Sequence, residues 1–184
     1  MSQAAESLVG TNYITEEITA LIGVSGPVKE APHPVEASEV RRFFQAISDF
    51  SPKYTDPEWA KESRYGGLVA PLAFPALYII RRGPTEPDPL EVSGASDFDG
   101  VQRSLRPGLP PVNIPLPRLL NGGYEYEFHS NARVGDRIFC RASYKDIYQR
   151  DGKNGPMVFI LIQEDYFTQD DRPLYTAVST NILR

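Results

Sequence analysis

Along the chain, Val40, Phe43, Phe44 and Ile47 recur at i, i+3, i+4 and i+7, the spacing of one helical face turned to a core. With Ser38 as its cap, that spacing predicts a helix over residues 39–47. A shorter helix is predicted over 15–23, where Thr15 can cap, Glu16 and Glu17 suit the N-terminal dipole and Gly23 can end the turn. Pro27, Pro32 and Pro34 restrict 28–36 to an edge or broken strand. The turn formers of 48–57 lead into a short polar helix over 58–62. Pro71 is placed to open a buried apolar helix running towards Arg81 and Arg82, with Pro75 in its early turns.

The last third changes period. Residues 123–129, 137–148, 157–167 and 173–183 read as strands separated by Gly135-Asp136, Asp151-Gly152 and Gln169-Asp170-Asp171, an antiparallel meander. In the first of them Tyr124, Tyr126 and Phe128 alternate with Glu125, Glu127 and His129, which predicts one buried and one wet face. Between 83 and 121 lies a proline-rich insertion, longer than ordinary connections within a domain; eight of the 17 prolines fall from Pro84 to Pro117. Its scattered apolar residues, Leu109 and Leu116 among them, favour something packed over something free. Helices first and antiparallel strands last give an α+β class, a single domain over 1–184 in which a sheet wraps a central apolar helix. A hot-dog arrangement meets this description, and a cone-shaped sheet around a helix, as in cystatin-like folds, meets it nearly as well.

Composition narrows the function classes. A net charge of −5, with five lysines against fourteen arginines, lacks the basic stripe of a nucleic-acid-binding surface. The longest uncharged apolar stretch, residues 66–80, contains two prolines and is shorter than the roughly 18–20 residues a membrane span needs, and the N-terminus has no basic region before an apolar run. A cytoplasmic protein is expected, with neither nucleic acid nor membrane as partner. Cys140 is the single cysteine; with only His33 and His129 beside it, no ligand cluster at a recognised spacing exists and no metal is expected.

The loop Asp49-Phe50-Ser51-Pro52-Lys53-Tyr54-Thr55-Asp56-Pro57, followed by Ala60 and by residues 66–71, resembles the MaoC-like, (R)-specific enoyl-CoA hydratase and 3-hydroxyacyl dehydratase family of hot-dog proteins. In that family the loop reads Asp-x-Asn-Pro-x-His. Here Asp49 and Pro52 match it, while Ser51 stands for Asn and Tyr54 for His. Tyr126-Glu127-Phe128, Val134-Gly135-Asp136 and Gly155-Pro156-Met157 resemble the longer, fatty-acid-synthase-type dehydratase branch. The matches span about 35–82 and 121–184.

The resemblance implies addition of water to an enoyl thioester, or its reverse, on coenzyme A or an acyl carrier and without a further cofactor. It places Asp49 and Tyr54 at the catalytic positions, a degenerate Asp/His pair, and Ser51, Gly67, Leu72 and Ala73 at the substrate. Backbone N–H groups at the turn would stabilise the thioester oxygen. Ala70-Pro71 replaces the family's His-Gly, and because Pro71 cannot donate, Leu72 or Ala73 would have to. Ionising a tyrosine rather than a histidine at neutral pH costs about 4–5 kcal/mol more, a thousandfold or more in rate.

The expected function is therefore an acyl-thioester-binding, non-catalytic subunit of a heteromeric hydratase or dehydratase, paired with a second MaoC-like chain that carries the intact Asp and His. The alternatives are a self-sufficient homo-oligomeric hydratase using Asp49 and Tyr54, and an acyl-CoA-binding module without lyase activity. Each residue also has a plain structural role: Asp49 as an Asx-turn, Tyr54 as a packing residue, Cys140 as a small buried thiol. Arg81, Arg82, Arg103 and Arg106 are candidates for carrier phosphates.

Overall fold

The computed structural model describes residues 11–81, 83, 105–106, 108–153 and 155–184. Most of the proline-rich segment, with Arg82 and Arg103, lies outside the described residues. Among the described residues five helices, α1 (Glu16–Thr19), α2 (Ala37–Ala46), α3 (Pro52–Thr55), α4 (Pro57–Glu62) and α5 (Phe74–Ile79), accompany five strands, β1 (Lys29–Glu30), β2 (Leu119–Phe128), β3 (Ile138–Gly152), β4 (Gly155–Thr168) and β5 (Pro173–Leu183). The strands form one antiparallel sheet in the order β1-β3-β4-β5-β2, and one of its faces packs on α2 and α5. This is a hot-dog fold of the α+β class.

Local chemistry sets the helix ends. Thr15 caps α1, its Oγ1 accepting from the Ile18 N–H at 3.3 Å, and the chain turns away at Gly23, where φ is +85°. Helix α2 starts two residues before its predicted start, so Ser38 lies inside the first turn. The N-cap is Glu36, whose backbone N–H donates to the Tyr78 hydroxyl at 2.9 Å and so ties α2 to α5. Val40 and Phe44 are buried as the stripe predicts, but Ile47 follows the last turn and is 51% exposed. Asp56 caps α4 by accepting from the Trp59 N–H at 3.0 Å.

The central helix is shorter than expected and opens at Phe74 instead of Pro71. Pro75 has no N–H to give to the Pro71 carbonyl, so a helix begun at Pro71 would lack that bond. The Phe74 N–H takes the Pro71 carbonyl at 3.0 Å in a tighter turn, and Pro75 occupies the first helical turn.

The strands differ from a simple meander in one pairing: β3, β4 and β5 are consecutive hairpins, but β2 pairs with β5. The connection after β2 is anchored away from β3. His129 and Ser130 both donate to the Leu174 carbonyl, and the Ala70 N–H donates to the Ala132 carbonyl at 2.8 Å. The chain thus crosses to the far side of the sheet before β3 starts. Strand β2 begins at Leu119, so residues 119–121 belong to strand and not to the preceding segment. A register shift at Asn121/Gly123 requires glycine nearby, because a Cβ on Gly122 would lie 2.8 Å from Thr180 Cγ2.

Two apolar clusters share the helix-packed face. One joins Val40, Phe44, Tyr54, Phe74 and Tyr78 to Ile138, Cys140, Tyr166, Leu174 and Tyr175. The other joins Tyr13, Ile18, Leu109 and Leu116 to Tyr144, Ile147, Val158, Ile160 and Ile162. Leu109 and Leu116 bring the end of the proline-rich segment into the core. The aromatic alternation of β2 is real but uncovered: all ten of its residues are exposed, with Tyr124, Tyr126 and Phe128 at 47%, 51% and 43%.

Candidate functional site

The predicted site residues fall on the loop between α2 and α4 and on the turn before α5. Asp49 Oδ1 accepts from the Ser51 N–H at 3.2 Å, an Asx-turn that sets up α3. Tyr54, on α3, is 6% exposed and stacks on Phe44 at 6.0 Å between ring centroids, with Lys53 Nζ 4.8 Å from its ring centre. Lys53 and Asp49 are the charged groups that act on its hydroxyl. Asp49, Ser51 and Tyr54 are therefore brought together, but neither Asp49 nor Tyr54 lines the cavities beside Leu72 and Ala73. Burial pushes the Tyr54 hydroxyl above its ordinary value, with Lys53 opposing, so its proton is held more tightly than a free tyrosine's.

Leu72 and Ala73 are exposed, and among the described residues their N–H groups meet no acceptor. Each lines a different cavity. Leu72 lines a cleft of about 540 Å³ with Lys53, Arg64, Arg133, Arg172 and His129, and Ala73 lines a cavity of about 490 Å³ with Ala76, Leu77, Tyr124, Tyr126 and Tyr175. Gly67 lies just before the turn and lines neither cavity; its N–H donates to the Ala60 carbonyl at 3.0 Å.

Four of the residues lining the cleft are basic and none is acidic. Arg133 donates to the Tyr65 carbonyl at 2.7 Å and Arg64 to the Tyr65 hydroxyl at 3.0 Å, a bond that lowers the Tyr65 pKa. Arg172 is held by Asp136 at 2.6 Å. Arginine forks beside a lysine suit phosphate oxygens. Two of the arginines singled out for phosphates are engaged elsewhere, Arg81 with the buried Glu39 and Arg106 with Glu164 at 3.1 Å. The cleft draws its cations from three distant stretches of chain, so no local motif announces it.

The second cavity lies between α5 and the sheet. Ala73 and Ala76 on the helix side and Ala177 on the sheet side leave the room. Across the sheet, register aligns Cys140, Tyr166, Tyr175 and Phe128 in one row and Ala142, Glu164, Ala177 and Tyr126 in the next. Tyr166 stacks on Tyr175 at 4.3 Å. Burial pushes the Cys140 thiol up to about 12, which leaves it protonated and unreactive.

Sequence reasoning missed Glu164, although the alternation Val158, Ile160, Ile162, Glu164, Tyr166 puts it in the inward row of β4. His129 is exposed at the end of β2, as predicted, yet it shares the cleft with Leu72 and Lys53. His33 is exposed between Pro32 and Pro34 and lines no described cavity. Among the described residues no group of three or more His, Cys, Asp or Glu could hold a metal ion, and no helix is long and apolar enough to cross a membrane.

Residues 20–177 match the family described as FAS1-like, dehydratase domain region. The chain belongs to that family. A UPF0336 protein of Saccharopolyspora erythraea is 26% identical over 152 residues, 83% of this chain and 82% of its own. The ChsH1-ChsH2 complex from Mycobacterium tuberculosis superposes with a TM-score of 0.63 at 19% identity, over 91% of this chain and 86% of that one. The MaoC-like dehydratase from Rhodospirillum rubrum gives a TM-score of 0.54 at 19% identity, over 86% of this chain and 90% of that one. These FAS1-like dehydratase regions and MaoC-like dehydratases share the hot-dog fold found here.

Proposed function

We propose that this chain is the acyl-thioester-binding, non-catalytic subunit of a heteromeric enoyl-CoA hydratase or 3-hydroxyacyl dehydratase acting in the cytoplasm. The observation that carries the reading is Tyr54. At the position where the resembled family has its histidine, this chain has a phenol that is 6% exposed and packed on Phe44. A group so placed is poorly suited to move a proton at neutral pH.

The surroundings support a binding role. With the thioester carbonyl at the Leu72 and Ala73 N–H groups, the carrier's phosphates would lie along Lys53, Arg64 and Arg133, and the acyl group would enter the cavity beside Tyr126. The carrier is coenzyme A or an acyl carrier protein, and no further cofactor is invoked. The partner is a second hot-dog subunit with intact Asp and His, seated on β2. A ten-residue edge strand with three exposed aromatics is an open template for pairing, and the similar ChsH1-ChsH2 structure is that of a complex.

One observation favours a second reading, a self-sufficient hydratase: His129 shares the cleft with Leu72 and Lys53, and the Asp49 carboxylate acts on the Tyr54 hydroxyl. Native mass spectrometry of the chain recovered from its own cells separates the two. A stoichiometric complex with a second hot-dog chain is expected, and a clean homo-oligomer that hydrates enoyl-CoA, and loses that activity with His129→Ala or Asp49→Asn, would replace the first reading with the second.

A further inference from the structure

The inward side chains of β4 run Val158, Ile160, Ile162, Glu164, Tyr166 and Thr168, and Glu164 is the one carboxylate among them. Its side chain is only 13% exposed, and the residues paired with it on either side are Ala142 and Ala177. Small neighbours leave the carboxylate facing the cavity under α5, where it is a lining residue. Arg106 reaches it from the end of the proline-rich segment, Nε to Oε1 at 3.1 Å. The same guanidinium donates to the Leu105 carbonyl at 2.9 Å and lies 3.5 Å from Ser179 Oγ, and the Tyr124 hydroxyl also meets it. Glu164 Oε2 has no hydrogen-bond partner among the described residues.

An ion pair in an aromatic and aliphatic cavity needs a reason. Replacing such a pair with apolar residues of similar volume is often neutral or stabilising, so fold stability does not supply one. Recognition does. We propose that the Arg106–Glu164 pair reads a hydroxyl group at the far end of the acyl chain, so that the cavity takes hydroxylated, ring-bearing acyl thioesters in preference to plain ones. The inference rests on the acyl-thioester reading of the site given above.

A hydroxyl is the group that satisfies both members. It donates to Glu164 Oε2, and its oxygen rests against the positive charge of the guanidinium beside it. A carboxylate at that end would face the Glu164 charge. A ketone could accept from Arg106 but would leave Oε2 without a donor, and a methyl or phenyl terminus would strip water from both charges and return nothing. The walls suit a ring, since Phe43, Tyr124, Tyr126, Tyr166 and Tyr175 all line the cavity. Its volume of about 490 Å³ falls in the roughly 300–1,000 Å³ range of small-molecule sites.

The test is isothermal titration of the full chain, in its native assembly, with two thioesters that differ by one oxygen: 3-(4-hydroxyphenyl)propanoyl-CoA and 3-phenylpropanoyl-CoA. The wild-type protein should prefer the hydroxylated ligand by about tenfold or more, the effect of a hydrogen bond to a charged group in a desolvated site. The double variant Glu164→Leu/Arg106→Met, which leaves no lone charge behind, should bind the two within about threefold of each other. Equal wild-type affinities, or a preference that survives in the double variant, would overturn the role of the pair and leave thioester binding standing. If neither thioester binds, the acyl-thioester reading fails and this inference fails with it. The wild-type comparison needs no variant, so a misfolded double variant would not protect the idea.

Discussion

Replacing Tyr126 by alanine should weaken assembly as well as the fold. Tyr126 lies on the edge strand β2 and is 51% exposed. A tyrosine carries roughly 200 Å² of surface, so about 100 Å² remains for a partner to cover. At about 25 cal/mol per Å² that burial is worth about 2.5 kcal/mol, or about seventyfold in Kd. Within the chain the ring meets Tyr124 at 5.9 Å, Phe128 at 5.7 Å and Tyr175 at 6.1 Å, aromatic contacts worth about 0.5–1.5 kcal/mol each. A dilution series of the assembled protein by sedimentation velocity would give Kd for wild type and variant, and scanning calorimetry of the dissociated chain would give the loss in fold stability. A Kd that stays within about threefold while Tm falls by several degrees would show that the β2 face serves this chain's own core and not a partner, and would refute the pairing argument.

Three further predictions concern this chain alone. Phe74→Ala removes a fully buried ring that packs edge-on against Phe43 at 5.4 Å and should cost about 3–5 kcal/mol, read as a lower urea midpoint at unchanged slope. Cys140, with its thiol raised to about 12 by burial, should resist iodoacetamide at pH 8 in the native protein and react once urea unfolds it; rapid native labelling would contradict its placement. Hydrogen bonding to Arg81 holds the Glu39 carboxyl below its ordinary value of 4.5. Its contribution is therefore present above about pH 4.5 and is lost as pH falls through the lower, folded value. Calorimetry of wild type and Glu39→Gln should show the variant's Tm deficit at neutral pH shrinking below about pH 4, and a deficit that stayed constant with pH would contradict this.

The alternating strands were legible because burial on one face leaves a period of two in the sequence. Strand β5 runs over the very residues expected, and β4 differs only in the hairpin residues that extend it. Strand pairing was not legible, because β2 and β5 are joined through contacts of Ser130 and Leu174 that no local pattern encodes. The central helix was overestimated for a different reason. Apolar content from Leu68 to Ile80 suggests a long buried helix, while Pro71 and Pro75 together allow only Phe74–Ile79.

The candidate site divides in the same way. The loop with Asp49 and Tyr54 could be read locally, since turn chemistry and caps are local, and so could the turn at Leu72 and Ala73. The cationic cleft could not, because Lys53, Arg64, Arg133 and Arg172 meet only after β2 crosses to β5. Glu164 was within reach of the sequence: a lone carboxylate on the inward phase of an apolar strand is a conflict between local pattern and fold, and such conflicts mark functional positions.

The most direct test of the account is a hydration assay with a short-chain enoyl-CoA on three samples: this chain alone, its complex with the second hot-dog subunit, and the complex carrying Asp49→Asn. The account predicts turnover by the complex, about a thousandfold less or none from the chain alone, and a rate within about threefold of wild type for the Asp49 variant complex. Full turnover by the isolated chain, abolished by Asp49→Asn, would contradict it and place the chemistry on this subunit.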